Sequence, residues 1–277
     1  MGRAHMSPLE LDQLVREIGD EVQRRLGNAP AAPVCACAST ASPRPRTNGR
    51  SAAGAPSPQT SVAALINQSL LRPDATTDEI LRLCREARQY RFASVCVPPP
   101  RVALAVRELR GTKVRVCAVI GYPHGATLAP VKLAEAEQVL KLGACQLEMA
   151  VHLGALRSGD LDGVYTEIRL MAECAHAAGA DLKVLAEMAL LAEEQKVIAC
   201  ALARLGGADL VKTSADLGGF AAAADVALAQ RIVGGELGIE AAGGIDSHAR
   251  LREMRAAGAT RVGTCDGAAI VNEASHC

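Results

Sequence analysis

Residues 191–214, LAEEQKVIACALARLGGADLVKTS, hold one repeat unit of the fold. From Leu191 to Leu205 apolar residues recur at three- and four-residue spacing, which reads as an amphipathic helix. Gly207-Ala208 then turns the chain into the short apolar run Ala208–Lys212. Such a run, bounded by turn signals, suits a strand buried on both faces. Its last residue is a lysine. An amine at the mouth of a buried parallel strand, beside low-dielectric packing, can become a nucleophile toward carbonyls. The bland alternative is a lysine that snorkels out of a strand end.

The same unit repeats on either side. Strand-like runs occur at Val62–Ile66, Ala93–Val97, Val114–Ile120, Cys145–Val151, Leu182–Glu187, Ala208–Lys212, Gly238–Ala241 and Thr260–Gly263. Helical patterns lie between them, among them Asp78–Tyr90, Leu128–Leu142, Asp162–Ala178 and Leu191–Leu205. Gly143-Ala144 and Gly258-Ala259 repeat the helix-to-strand turn. Eight strands separated by helices from residue 61 onward predict an α/β chain folded as a (β/α)8 TIM barrel. A doubly wound open sheet is the alternative, but no Gly-x-Gly-x-x-Gly follows the first strand.

Composition narrows the function. Hydrophobic residues make up 49% of the 277 and aromatics only 2%, so the core must be built from Ala, Leu and Val. The formal net charge is zero, with 30 basic and 30 acidic residues. Neither a basic surface nor stacking rings point to nucleic acid, and no apolar run approaches a membrane span. Cys84, Cys96, Cys117, Cys145, Cys174 and Cys200 fall in apolar patterns, which suits free thiols in a reducing, cytoplasmic setting. Cys35 and Cys37 form a C-x-C pair without further ligands nearby, so neither metal nor cofactor is expected.

The N-terminal part reads differently. Residues 1–6 are set aside as an expression scar. Residues 7–27 carry Ser7, Pro8 and Glu10 as a helix start, then Leu11, Leu14, Val15, Ile18, Val22 and Leu26 on one stripe. Residues 28–60, rich in Ala, Pro, Ser and Gly, are expected to be a disordered linker. The helix either folds back on the domain or serves as an address tag for a partner's groove.

In a barrel, chemistry belongs to the C-terminal strand ends. Asn67, Cys96, Glu148, Glu187, Lys212 and Glu240 are placed there, with loops at 213–219, 243–247 and 263–267. The words Ser94-Val95-Cys96-Val97, Val119-Ile120-Gly121-Tyr122-Pro123-His124-Gly125, Lys183-Val184-Leu185-Ala186-Glu187, Val211-Lys212-Thr213-Ser214, Ala241-Ala242-Gly243-Gly244-Ile245 and Arg261-Val262-Gly263-Thr264 follow in order. Together they resemble the deoxyribose-phosphate aldolase family over about residues 65–270.

The resemblance implies a class I lyase in which Lys212 forms a Schiff base with an aldehyde. It also exposes departures. A second lysine that lowers the pKa of the first is matched by Glu240, an aspartate of the fourth strand by Glu148, and an aspartate of the first strand by Asn67. At the phosphate end, Asp216, Asp246 and Asp266 stand where hydroxyls, backbone N–H groups and a cation would be expected, beside Ser214, Gly243 and Gly244. Lys183, Cys96 and Glu187 complete the expected substrate-binding set. Glu240 should raise the Lys212 pKa and slow Schiff-base formation, while the three aspartates should weaken phosphate binding. The expected partner is a small aldehyde or sugar, handled by a homo-oligomer. The alternative is a catalytically inactive barrel acting as a ligand-binding or structural protein. The helix and linker resemble the encapsulation peptides of bacterial microcompartment cargo, which implies a shell protein as partner of residues 7–27.

Overall fold

The computed structural model describes residues 7–26, 61–215 and 219–276. The expected linker, with Cys35 and Cys37, and Asp216 lie outside the described residues. Eight parallel strands close into a barrel in sequence order, each hydrogen-bonded to the next and β8 to β1. They are β1 (Ile66–Ser69), β2 (Ser94–Val97), β3 (Arg115–Ile120), β4 (Gln146–Ala150), β5 (Asp181–Leu185), β6 (Leu210–Lys212), β7 (Gly238–Ala242) and β8 (Arg261–Thr264). No helix among the described residues is long and apolar enough to cross a membrane.

Helices cover the outside: α2 (Thr77–Tyr90), α3 (Val102–Glu108), α4 (Ala129–Lys141), α5 (Leu153–Arg157), α6 (Leu161–Ala177), α7 (Glu193–Leu205), α8 (Ala223–Val233), α9 (His248–Ala256) and α10 (Gly267–Ala274). Local chemistry sets their starts. The Thr76 hydroxyl accepts from Glu79 N, and the Glu79 carboxylate accepts from Thr76 N, the two halves of a capping box. Asp160 accepts from Gly163 N at 3.0 Å before α6. Between sheet and helices lies one aliphatic core of Leu, Ile, Val and Ala, including Ile80, Leu147, Ile168, Val197 and Ile239. Each such side chain removed from water contributes roughly 1.5–3 kcal/mol.

Inside the barrel the filling is different. A small cluster of Cys96, Cys117 and Val119 packs with Leu71 and Tyr122. Much of the remaining interior is polar, and its lower layer joins Arg115 to Asp181, with the Arg115 guanidinium also donating to Cys145 O at 2.6 Å.

The first strand corrects an expectation. Val62–Leu65 is a 3-10 turn capped by Ser61, and β1 begins only at Ile66. An apolar run of five residues fits either element; here Ser61 Oγ accepts from Ala64 N at 3.4 Å and starts the turn.

α1 (Pro8–Leu26) has the reciprocal cap read from the sequence, with Ser7 N donating to Glu10 at 2.7 Å and Glu10 N donating to Ser7 Oγ at 3.3 Å. It lies against α6, α7 and α8, with Ile18 buried and Leu14 packed on the core.

Candidate active site

Inward positions of a strand recur every second residue, and the barrel brings several of them together. Lys212, the last residue of β6, directs Nζ to Glu148 Oε1 of β4 at 2.8 Å and to Glu240 Oε1 of β7 at 3.6 Å. Lys183 of β5 bridges the same two carboxylates, 3.2 Å from Glu148 Oε2 and 2.6 Å from Glu240 Oε2. All four side chains are buried. Two lysines and two glutamates with every carboxylate oxygen partnered form a neutral quartet. Buried charges persist only when paired this fully.

Their heights in the barrel differ from the expected strand ends. Glu148, Lys183, Glu240 and Asn67 sit within β4, β5, β7 and β1, and only Lys212 ends its strand. The charged layer thus lies below the strand ends.

Asn67 completes the layer. Its Nδ2 donates to Glu240 Oε1 at 2.8 Å, and its Oδ1 accepts from Ser94 Oγ at 2.9 Å. Glu240 must reach past β8 to make this bond. The register places Gly263 beside Asn67, and a Cβ there would lie 2.9 Å from Glu240 Oε1. Gly263 therefore leaves the gap through which β7 and β1 touch. Two departures from the aldolase pattern, Asn67 and Glu240, are hydrogen-bonded partners: an aspartate at 67 would face Glu240 with like charge, whereas the amide donates to it.

The electrostatics follow from these contacts. Burial alone would lower the Lys212 pKa, but Glu148 and then Glu240 hold it above its ordinary value. Burial likewise opposes the charged form of Lys183, and Glu240 outweighs it, so this amine too is held well above the usual range. For Glu148, burial pushes upward, yet Lys212 and Lys183 bring it down to about 2. The effect on Lys212 expected from Glu240 is present, with Glu148 as the nearer carboxylate. Cys96 donates to Glu148 Oε2 at 3.7 Å, and its thiol is held well above the usual range by its hydrogen bond with Cys117 and by burial.

Glu187 does a different job. It follows β5 with φ of 44°, a conformation uncommon outside glycine, and accepts from Ser214 Oγ at 3.2 Å and from Ala215 N. It thereby hangs the segment after Lys212 from the neighbouring strand. Thr213 Oγ1 accepts from Ala242 N at 3.2 Å, joining the same segment to β7.

At the mouth, Gly243 is buried, while Gly244, Asp246 and Asp266 are exposed after β7 and β8. Asp266 precedes α10 without capping it, its N–H donating to Thr264 Oγ1 at 2.9 Å. Sequence reading did not name Ser94, Cys117 or Phe220 as site residues, and gave Thr213 and Gly263 only as the starts of mouth loops. The first two share inward parity with Cys96 and with the neighbouring strand, a signal that strand register would have exposed.

These features define the class as a (β/α)8 barrel with a buried lysine–carboxylate centre below its C-terminal mouth. Comparison with known proteins makes the class specific. A sequence model described as DeoC/LacD family aldolase matches residues 62–271, and the chain belongs to that family. It is 45% identical over 218 residues to a deoxyribose-phosphate aldolase of Thermococcus gammatolerans, covering 78% of this chain and 97% of that one. Its identity to a deoxyribose-phosphate aldolase of Streptococcus pneumoniae is 46% over 208 residues, covering 74% and 93%. Among solved structures, the tetrameric deoxyribose phosphate aldolase of Aeropyrum pernix superposes with a TM-score of 0.72 at 30% identity, covering 77% of this chain and 91% of that one.

Proposed function

We propose that this barrel is a class I aldolase whose Lys212 forms a Schiff base with an aldehyde lacking a phosphate group. The observation that carries the reading is Lys212 itself, buried at the end of β6 with Nζ 2.8 Å from Glu148. Attack on the carbonyl carbon comes from the small fraction of Lys212 that has lost its proton to solvent, because Glu148, held down by the two lysines, stabilises the ammonium instead. The carbonyl oxygen takes up protons and departs as water, leaving a cationic imine. The neighbouring carbon–carbon bond then breaks toward the imine, and the β-hydroxyl loses its proton to a carboxylate as the second aldehyde leaves. The enamine left on Lys212 takes that proton back on its carbon, and water then hydrolyses the resulting imine to release the first aldehyde and restore the amine. Asn67 and Lys183 hold the Glu240 carboxylate in place, so the site starts from a fully paired state.

The test is mass spectrometry after borohydride reduction in the presence of deoxyribose 5-phosphate or unphosphorylated aldehydes. A reduced adduct on the Lys212 peptide, formed with unphosphorylated aldehydes and lost in Lys212→Ala, is the expected result. Absence of any adduct from pH 7 to 9 would leave the inactive-barrel reading in its place. The tetramer of the Aeropyrum pernix relative supports a homo-oligomer here, which light scattering would measure. The microcompartment address on residues 7–27 is a separate proposal, tested by co-purification with a shell protein before and after truncation.

A further inference from the structure

The segment after Lys212 returns to touch β7. Ser214 Oγ, its one proton shared with Glu187, donates to Gly219 O at 3.3 Å, Ala221 N donates to Gly243 O at 2.9 Å, and Arg250 donates to Ala221 O at 2.8 Å. These three bonds pin residues 219–221 across the turn that ends β7. The ring of Phe220 is thereby seated on Gly244: a Cβ built there would lie 2.0 Å from Phe220 Cδ1 and 2.7 Å from Cε1. Gly244 also has φ of 63°, so glycine is needed twice over, for the backbone and for the ring. Phe220 is one of only two phenylalanines in the chain, and it is 77% exposed. Phe220 is thus a large apolar side chain fixed at the C-terminal face of the barrel, between the ends of β6 and β7. Ala189 lies beside Gly219. Leu71 and Tyr122 pack on the cysteine cluster inside the barrel. Asp246 and Asp266 keep the rest of the rim acidic.

We propose that Phe220 is a specificity-determining residue: it covers the Gly243–Gly244 turn, where a phosphate would need bare backbone N–H groups, and receives the apolar tail of an aldehyde. The proposal rests on the Schiff-base reading for the reaction, but the tail contact is independent of it.

The experiment uses the full chain with Phe220→Ala and Phe220→Leu. Borohydride trapping at rising aldehyde concentration gives half-saturating values for hexanal and for deoxyribose 5-phosphate, and calorimetry follows binding of unreactive 1-hexanol. Phe220→Ala should shift the ratio of half-saturating values about tenfold against hexanal, and weaken 1-hexanol by a similar factor. Phe220→Leu should keep most of the preference. An unchanged ratio together with unchanged 1-hexanol binding overturns the proposal, as does failure of the unmodified protein to bind 1-hexanol. If neither aldehyde is trapped but 1-hexanol binds in a Phe220-dependent way, the tail site stands and the Schiff-base reading falls.

Discussion

At the scale of single residues, the informative pair is Asn67 and Glu240. Each departs from the aldolase pattern, and the 2.8 Å bond between them shows that the departures answer one another. Glu240→Lys should therefore be costly alone. It would set a third ammonium beside Lys183 and Lys212, with Glu148 the remaining carboxylate among them, and a loss of about 3–5 kcal/mol is expected for breaking buried pairs. Adding Asn67→Asp should recover about 1–3 kcal/mol as a coupling energy, read from denaturant unfolding of all four proteins in the cycle. Strict additivity would mean that the two positions do not cooperate. Glu240→Gln is the gentler probe of chemistry. Removing one carboxylate from Lys212 lowers its pKa, so aldehyde trapping near pH 7 should increase, while Lys212→Ala in that background abolishes the gain.

Secondary-structure elements were legible where pattern and packing coincide. The Gly-Ala turns into β4, β6 and β8, the Lys-Thr-Ser word at the end of β6 and the helical periodicity all mark elements that the barrel contains. Two features were not legible. The run at 62–66 is apolar throughout, and only the Ser61 cap separates its 3-10 turn from β1. Asn67, Glu148 and Glu240 read as strand-end residues, because polar residues ordinarily mark where burial stops, yet they lie within their strands beside Lys183. A barrel interior reverses that rule, since charges from β4 to β7 neutralise one another inside it. Helix α1 belongs to this scale too. With Ile18 buried against the α6–α8 face, deletion of residues 1–60 should lower the melting temperature by several degrees, as expected for losing about 2–4 kcal/mol of apolar burial. Ile18→Asp should reproduce most of that drop in circular-dichroism melts. An unchanged melting temperature in both would show that the helix adds nothing to the barrel's stability and is free to serve a partner.

For the whole molecule, the neutral quartet sets how stability varies with pH. Glu148 has a folded-state pKa of about 2 against an ordinary value of 4.5, so its contribution is present above pH 4.5 and is lost as pH falls toward about 2. Lys183 and Lys212 are shifted the other way: their contribution is complete below their ordinary value of 10.5 and is lost only as pH rises beyond it. The melting temperature should therefore fall on the acid side more steeply than in Glu148→Gln, which lacks that titration; equal acid slopes would place the lysines elsewhere. The outer surface has a consequence of its own, in how copies of the barrel can assemble. The α6–α8 flank already carries a helix of the same chain, so a neighbouring copy arriving there would have to evict α1 before it could seat. Symmetric contacts are left to the remaining flanks, among them that of α4, where Leu128 and Val131 stand uncovered at the helix start.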